Sequence, residues 1–184
     1  MSSVVGFTGF AQVGKDSAAG FLAEFGYKRL AFADILRQSL YNLNPLIPVG
    51  VSQYDLDGAV FTERVQEIVD QIGWDRAKVD YPEIRQLLQR FGTDVGRALY
   101  GEGFWVDRVT NQIEPGKKYV IPDVRFQNEA FAVRRFGGKL FRVNRPGVGA
   151  VNTHISDTGI DSLVVDGVIP NTGDLDHFRS LVLE

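Results

Sequence analysis

The chain has 184 residues, no cysteine and a net charge of −3 at pH 7, with 44% hydrophobic and 23% charged residues. This length and composition predict one globular domain with room for a sizeable core. The absence of cysteine excludes disulfides and thiolate metal sites and fits a cytosolic setting. The negative net charge argues against nucleic acid as a partner. We expect no membrane span, because no apolar run approaches about 20 residues, and no signal peptide, because the first residues lack a basic region.

The sequence from Gly9 to Ser17 reads GFAQVGKDS and organises the rest of the chain. It follows the apolar run 4–7, which predicts a short buried strand, and precedes residues 17–25, whose apolar spacing is helical. This context is typical of a phosphate-binding loop, in which glycines let backbone N–H groups turn toward one anion at the start of a helix. Lys15 would add a mobile charge that follows the transferred phosphoryl group. The alternative is a glycine turn that binds no ligand.

Asp16 occupies the position where such loops usually have the Ser or Thr that ligates Mg²⁺. A carboxylate is also a hard oxygen ligand, so Asp16 could hold the ion directly or through water. Because this carboxylate puts negative charge near the phosphates, we expect arginine or lysine residues elsewhere to offset it.

After the first helix, Gly26 predicts a helix stop and residues 27–33 predict a second strand. Asp34 is predicted to cap a helix over 35–41, which ends before a proline. Residues 44–60 contain two prolines and two glycines and are predicted to be irregular.

The next stretch is predicted to be helical. Apolar residues recur at helical spacing over 62–72, and Pro82 suits the first turn of a helix that runs to Phe91. Residues 92–94 are predicted to restart this helix, and 104–113 form another.

The alternation of strands and helices resumes after residue 113. Strands are predicted over 119–124, with Pro122 at an end or edge, over 139–143 and over 162–169. A helix over 128–136 and a loop over 144–159 separate them. The chain is predicted to end in a helix whose inward-facing side chains are Leu175, Phe178, Leu181 and Val182.

These elements predict an α/β fold with a mostly parallel five-stranded sheet that is covered by helices on both faces. We expect one domain, with a core of 1–33 and 114–184, an all-helical insert over about 34–113 between strands two and three, and a short lid loop over about 145–158. Ligands in such folds bind at the carboxyl edge of the sheet.

Three charged clusters follow strands at that edge. Asp34 and Arg37 share a helix face, with a capping acid beside a surface arginine as the alternative. Asp123 follows the third strand, where a phosphate-loop enzyme has a second carboxylate near Mg²⁺, and Arg125 offers a two-pronged donor for phosphate; a strand-end salt bridge is the alternative. Arg145 either reaches over a bound nucleotide or is a solvated loop charge.

Other candidates are weaker. Thr93, Asp94 and Arg97 are predicted to share one helix face. Trp105 either stacks on a base or, as we favour, fills the core of the insert. His177 is predicted to lie on the surface, and His154 has no triad order or zinc spacing around it.

These motifs resemble those of the phage-type deoxynucleoside monophosphate kinases, relatives of adenylate kinase in the P-loop nucleoside monophosphate kinase superfamily. The similarity covers nearly the whole chain: GKDS at 14–17, FAD at 32–34, GTD at 92–94 with Arg97, DVRFQNE at 123–129, RP at 145–146, HISD at 154–157 and IPNTG at 169–173. The family commonly has Asp after the loop lysine, so Asp16 supports the resemblance. Ile35 stands where proline is usual, and Asp157 where glutamate is usual.

The resemblance implies that ATP phosphorylates a deoxynucleoside monophosphate in the presence of Mg²⁺, in the host cytoplasm if the chain is phage-encoded. It implies catalytic roles for Lys15, Arg37 and Arg125. The implied ATP phosphate site is Gly9, Gln12, Val13, Gly14, Lys15, Asp16 and Ser17, and the implied metal ligands are Asp16 and Asp123. The implied acceptor site is Phe32, Asp34, Arg37, Arg97, Trp105 and Arg125, and the implied donor lid and adenine contacts are Arg145 and Asn171. The oligomeric state stays open, a homodimer included.

Two alternatives remain at this stage. A kinase of another small phosphorylated acceptor, such as dephospho-coenzyme A, would have the same phosphate loop. A non-catalytic nucleotide-binding switch protein would also have it, although the sequence has no Asn-Lys-x-Asp guanine signature and a switch needs no arginine-lined acceptor pocket.

Overall fold

The structure is a computed structural model that describes residues 3–51, 60–149 and 159–184. Its strands are β1 (Ser3–Thr8), β2 (Tyr27–Arg29), β3 (Leu46–Val51), β4 (Val60–Arg64), β5 (Lys118–Ile121), β6 (Lys139–Asn144) and β7 (Gly167–Pro170). Its α-helices are α1 (Lys15–Ala23), α2 (Phe32–Leu43), α3 (Val65–Asp80), α4 (Pro82–Arg90), α5 (Ala98–Tyr100), α6 (Phe104–Thr110), α7 (Gln127–Arg135) and α8 (Leu175–Leu183). None of these helices is long and apolar enough to cross a membrane.

Contacts divide the chain into two compact units. The core unit is Met1–Ala33 with Val106–Glu184, and the inserted unit is Asp34–Trp105.

The main sheet of the core unit has the strand order β2-β5-β1-β6-β7, and each neighbouring pair is parallel. Successive residues of β1 face opposite sides of this sheet. Phe7 packs with Ala18 of α1 and Phe178 of α8, whereas the α-carbon of Gly6 faces Val133 of α7. The predicted α/β fold, with a five-stranded parallel sheet and helices on both faces, is therefore confirmed for the described residues.

The inserted unit contains α2, α3, α4, a π-helical segment (Phe91–Arg97) and α5 around a core of Leu40, Ile47, Val65, Ile68, Ile84 and Leu88. The expectation of an all-helical insert is wrong, because β3 and β4 form an antiparallel pair. Pro48 and Gly50 suggested an irregular loop, but an isolated two-stranded ribbon has only edge strands, which tolerate proline. The register shifts between these two residues, and residues 52–59 lie outside the described part of the chain.

The start of α2 also differs from the prediction. The second strand ends at Arg29, and the helix begins at Phe32, so Asp34 is not its cap. The backbone N–H groups of Phe32 and Ala33 donate to Asp123 Oδ1 and Oδ2 at 3.1 and 2.8 Å. A carboxylate 90 residues away therefore stabilises the start of this helix.

The C-terminal elements are shorter than predicted. The expected strand over 162–169 consists of a 3₁₀ turn at Ile160–Ser162 and the strand β7. Pro122 directly follows β5, which confirms that it lies at a strand end. In α8, Phe178 is buried as predicted, but Leu175 is 63% exposed, which contradicts its predicted inward position.

We expect the packing of the inserted unit to depend on Gly96. A β-carbon at this position would lie 2.3 Å from Nε1 of Trp105, which is 4% exposed and donates a hydrogen bond to the Gly92 carbonyl at 2.9 Å. Gly96→Ala should lower the free energy of unfolding by about 1–3 kcal/mol, since overpacking a filled core forces side chains and backbone to shift. Urea denaturation followed by tryptophan fluorescence measures this change.

Gly20→Ala is the matched control. Gly20 lies within α1 with open space around its α-carbon, so alanine should leave stability unchanged or raise it by up to about 1 kcal/mol. Equal stabilities of the two variants would contradict the packing role of Gly96.

Candidate active site

The loop between β1 and α1 makes a tight turn over residues 9–14. Its backbone has positive φ at Gly9 (138°), Gln12 (64°) and Gly14 (108°). A β-carbon on Gly9 would lie 2.5 Å from the Val143 carbonyl oxygen. Gly9 is therefore required both for its backbone angle and for the close approach of β6.

Lys15 is enclosed by this loop. Its Nζ donates hydrogen bonds to the carbonyl oxygens of Gly9, at 2.7 Å, and Phe10, and the residue is only 8% exposed. A buried ammonium needs such partners. The contacts hold a full positive charge inside the turn, where an anion bound by the loop amides would meet it.

A cavity of about 460 Å³ lies beside the loop. Its lining residues are Gln12, Gly14, Lys15, Asp16, Ser17, Arg145, Asn171, Gly173, Asp174, Leu175 and Phe178. The structure thus brings together most of the predicted phosphate-loop residues with the two predicted donor-side residues, Arg145 and Asn171. Gly9 is not among the lining residues, and Val13 is 1% exposed, with its side chain in the core cluster.

The C-terminal side of the cavity packs directly on α1. Phe178 meets Phe21 edge-on, with ring centroids 5.9 Å apart. Arg179 donates to both carboxylate oxygens of Glu24, and these hydrogen bonds hold the pKa of Glu24 below its ordinary value. The start of α8 is therefore fixed beside the phosphate loop.

Asn171 contacts the loop itself. Its Nδ2 donates to the Val13 carbonyl oxygen at 2.9 Å, and its backbone N–H donates to the Asn144 carbonyl oxygen at 2.7 Å. The side-chain bond spans 158 positions of sequence, so no local pattern could have revealed it.

Asp16 lies at the mouth of the cavity with its side chain 83% exposed. Arg29, at the end of β2, lies 3.5 Å from its Oδ1. Arg29 is thus a cation of the kind expected to offset Asp16, but it was not identified, because the strand predicted over 27–33 placed it in the interior of a strand that in fact ends at this residue. An exposed carboxylate here offers one hard oxygen ligand.

The carboxylate of Asp123 is already engaged by the first two N–H groups of α2. A carboxylate has about four acceptor positions, and these two bonds use one on each oxygen. Within the described residues, no group of three or more acidic or histidine side chains could hold a metal by itself. Mg²⁺ binds one or two carboxylates and takes its other ligands from phosphate and water, and the carboxylates of Asp16 and Asp123 are ligands of this type.

The backbone of Arg125 is held by a buried acid. Glu129, which is 3% exposed, accepts hydrogen bonds through Oε2 from the N–H groups of Arg125 at 2.8 Å and Phe126 at 3.1 Å. These bonds fix the turn that follows β5, and Glu129 is a site-supporting residue to which the sequence analysis assigned no role.

In the inserted unit, Arg37 Nη1 lies 3.4 Å from Asp34 Oδ1, which confirms that the two share a helix face. Arg97 is 8% exposed and donates to Oε2 of Glu102 at 3.2 Å. Trp105 is buried, so of the two uses considered for its ring the structure has the core position.

Three other predicted positions complete the comparison. Phe32, in the core unit, is also buried, at 5% exposure. His177 lies on the surface as predicted. His154 and residues 150–158 of the predicted lid loop lie outside the described residues.

Known proteins support one family. The family model for deoxynucleotide monophosphate kinase matches residues 28–182. The deoxynucleotide monophosphate kinase of Enterobacteria phage T4 is 27% identical over an alignment of 165 positions, which covers 84% of this chain and 66% of the phage protein. A putative deoxynucleotide monophosphate kinase of Acanthamoeba polyphaga mimivirus is 29% identical over an alignment of 195 positions, which covers 98% of this chain and 94% of that protein.

Among solved structures, the chain is similar to the dephospho-CoA kinase of Campylobacter jejuni. This alignment covers 99% of the present chain and 94% of the kinase, with a TM-score of 0.45 and 15% identity. The phage T4 alignment spans just under two thirds of that relative's length, whereas the family model spans most of the present chain. On this match, the chain belongs to the deoxynucleotide monophosphate kinase family.

Proposed function

We propose that this chain transfers the γ-phosphoryl group of ATP to the phosphate of a deoxynucleoside monophosphate, which yields ADP and a deoxynucleoside diphosphate. The observation that carries the proposal is the cavity in which Lys15 and the turn over residues 9–14 meet Arg145 and the segment 171–178. Such a turn at the start of a helix suits polyphosphate, and the chain's family phosphorylates deoxynucleotides.

The donor half of the proposed site is this cavity. Amides of the loop would bind the β- and γ-phosphates, and Lys15 would exchange its carbonyl partners for phosphate oxygens as charge develops. Arg145 would close over the donor, and Asn171, for which the resemblance implies an adenine contact, would lie at the same cavity.

The acceptor half rests on arginines. Arg125 and Arg37 would hold the acceptor phosphate, while Asp34 and Arg97 would line the pocket, with Phe32 and Trp105 behind them as packing residues. The buried carboxylate of Glu129 supports this role for Arg125, because it fixes the backbone from which the guanidinium extends.

The reaction needs no covalent intermediate. An acceptor phosphate oxygen would attack the γ-phosphorus in line, so the protein would act by positioning and by neutralising charge. Water must be kept out, or ATP would be hydrolysed instead, and we propose that the inserted unit and the loop over 145–158 exclude it.

Asp16 and Asp123 would hold the Mg²⁺ that accompanies ATP. When bound, this ion neutralises charge on the β- and γ-phosphate oxygens. Arg29 would share Asp16 with the ion, since it lies 3.5 Å from the same carboxylate.

A panel of acceptors tests the function. With ATP as donor, ADP release should depend on one or more of dAMP, dCMP, dGMP and dTMP. Release only with dephospho-coenzyme A would favour a kinase of that acceptor. Nucleotide-dependent capture of a protein partner, without acceptor-dependent ADP release, would favour a nucleotide switch. Either result would contradict the proposal.

Lys15→Ala should lower kcat/KM for ATP by roughly 10²- to 10³-fold, because it removes a charge that stabilises the transferring phosphoryl group. Lys139→Ala is the matched control. Lys139 is the exposed first residue of β6, so it lies at the amino end of the parallel strands, whereas the phosphate loop lies at their carboxyl end. A coupled ADP assay measures both variants. Near-normal turnover of Lys15→Ala would count against the whole donor site.

Arg125→Ala should raise KM for the deoxynucleoside monophosphate and reduce kcat/KM by roughly 10²-fold or more, while KM for ATP stays close to the wild-type value. Arg135→Ala, on the exposed part of α7, should change neither parameter. If Arg125→Ala altered only the KM for ATP, the residue would belong to the donor half and the assignment would be wrong.

Asp16→Asn should raise the Mg²⁺ concentration needed for half-maximal activity by roughly tenfold or more, because an amide is a weaker ligand than a carboxylate for a hard cation. Asp107→Asn, an exposed substitution in α6, provides the control. An unchanged Mg²⁺ titration would remove Asp16 from the metal site.

A further inference from the structure

The segment after β7 reaches the phosphate loop from the far end of the sequence. Asn171 uses its side-chain amide for the Val13 carbonyl, at 2.9 Å, and its backbone N–H for the Asn144 carbonyl, at 2.7 Å. One residue thus joins the loop to the end of β6, a strand that pairs directly with β1.

The bond to Val13 has a consequence for the next residue. The carbonyl of Val13 and the N–H of Gly14 belong to one planar trans peptide unit, so they point in opposite directions. A hydrogen bond that fixes the carbonyl oxygen therefore also fixes the direction of the Gly14 N–H. This N–H belongs to the turn that would bind phosphate.

Gly14 is further confined by its neighbours. A β-carbon on it would lie 2.7 Å from Nδ2 of Asn171 and 3.1 Å from Cε1 of Phe178, which is buried. The left-handed backbone at Gly14, with φ of 108°, is thus packed against an amide and an aromatic ring. Both contacts limit how far this peptide can rotate.

Anion binding by backbone amides depends on their orientation before the ligand arrives, since a loop that must be ordered on binding loses affinity. We infer that Asn171 is a positioning residue for the phosphate loop, which orients the Val13–Gly14 peptide through its side-chain amide. The inference rests on the proposed function, because it requires that the loop binds the phosphates of the donor nucleotide. It assigns Asn171 a role toward the polyphosphate in place of the adenine contact that the resemblance implies.

The two roles make different demands on ligands. Replacing a residue that contacts adenine should weaken the binding of ATP but not the binding of inorganic tripolyphosphate, which has no base. A residue that orients the loop should matter equally for both, since both present a row of phosphates to the same amides.

The test compares the full wild-type chain with Asn171→Ala and Asn171→Leu, the second being close in shape to asparagine but without a donor. Asn42→Ala is the matched control, since Asn42 is an exposed asparagine of α2 whose side chain bonds only locally to Gln38 among the contacts described. Calorimetry measures the Kd of ATP and of tripolyphosphate, steady-state assays measure both KM values, and thermal denaturation measures stability.

Both Asn171 substitutions should raise the Kd of ATP and the Kd of tripolyphosphate by the same factor. We expect roughly five- to tenfold, the effect of losing one neutral hydrogen bond, with KM for the acceptor unchanged. If Asn171→Ala does not fold, Asn171→Leu carries the comparison. Three results would overturn this inference but not the proposed function. They are a higher Kd for ATP only, an unchanged Kd for both compounds, and a rise of both KM values in parallel with a loss of stability. A wild-type chain that bound neither compound would overturn the proposed function as well.

Discussion

The structure depends on a turn that takes the chain from the end of β1 into α1 within residues 9–14. Left-handed backbone is costly for L-residues, and Gln12 adopts it as a non-glycine residue at φ of 64°. Such conformations persist only where their surroundings hold them in place. Here Nζ of Lys15 donates to the Gly9 carbonyl in the first half of the turn, and Nδ2 of Asn171 donates to the Val13 carbonyl in the second half. These hydrogen bonds hold the turn in place beside the cavity.

The sequence predicted the parts of the fold that repeat a local pattern. Strand β1, the phosphate loop and α1 followed from an apolar run, the spacing of glycines and helical apolar spacing. Val65, Ile68 and Val69 recur at helical spacing and are buried in α3. The prediction was wrong where long-range pairing decided the outcome. Strand β3 contains a proline and a glycine and pairs with β4, and this pairing cannot be recognised from either segment alone.

The candidate site shows the same division. Residues of the loop were predictable because their spacing is itself the signal, and Arg145 followed from its position after a strand. The contacts of the acid and the amide that support the site, Asp123 and Asn171, could not be predicted from local patterns. Asp123 caps a helix that starts 91 residues earlier, and Asn171 bonds a carbonyl 158 residues earlier. The family model begins at residue 28, so the phosphate loop over residues 9–14 is supported by its own spacing and geometry and not by that match.

The central claim is that one chain holds ATP by its loop and a deoxynucleoside monophosphate by its arginines, end to end. A crystal structure with a bisubstrate mimic, in which adenosine and a deoxynucleoside are joined by a polyphosphate, tests it most directly. The account predicts that the phosphates on the adenosine side contact the amides around Gly14 and Nζ of Lys15, and that the phosphate on the deoxynucleoside side contacts Arg125. A mimic bound elsewhere, with the loop cavity empty, would contradict it.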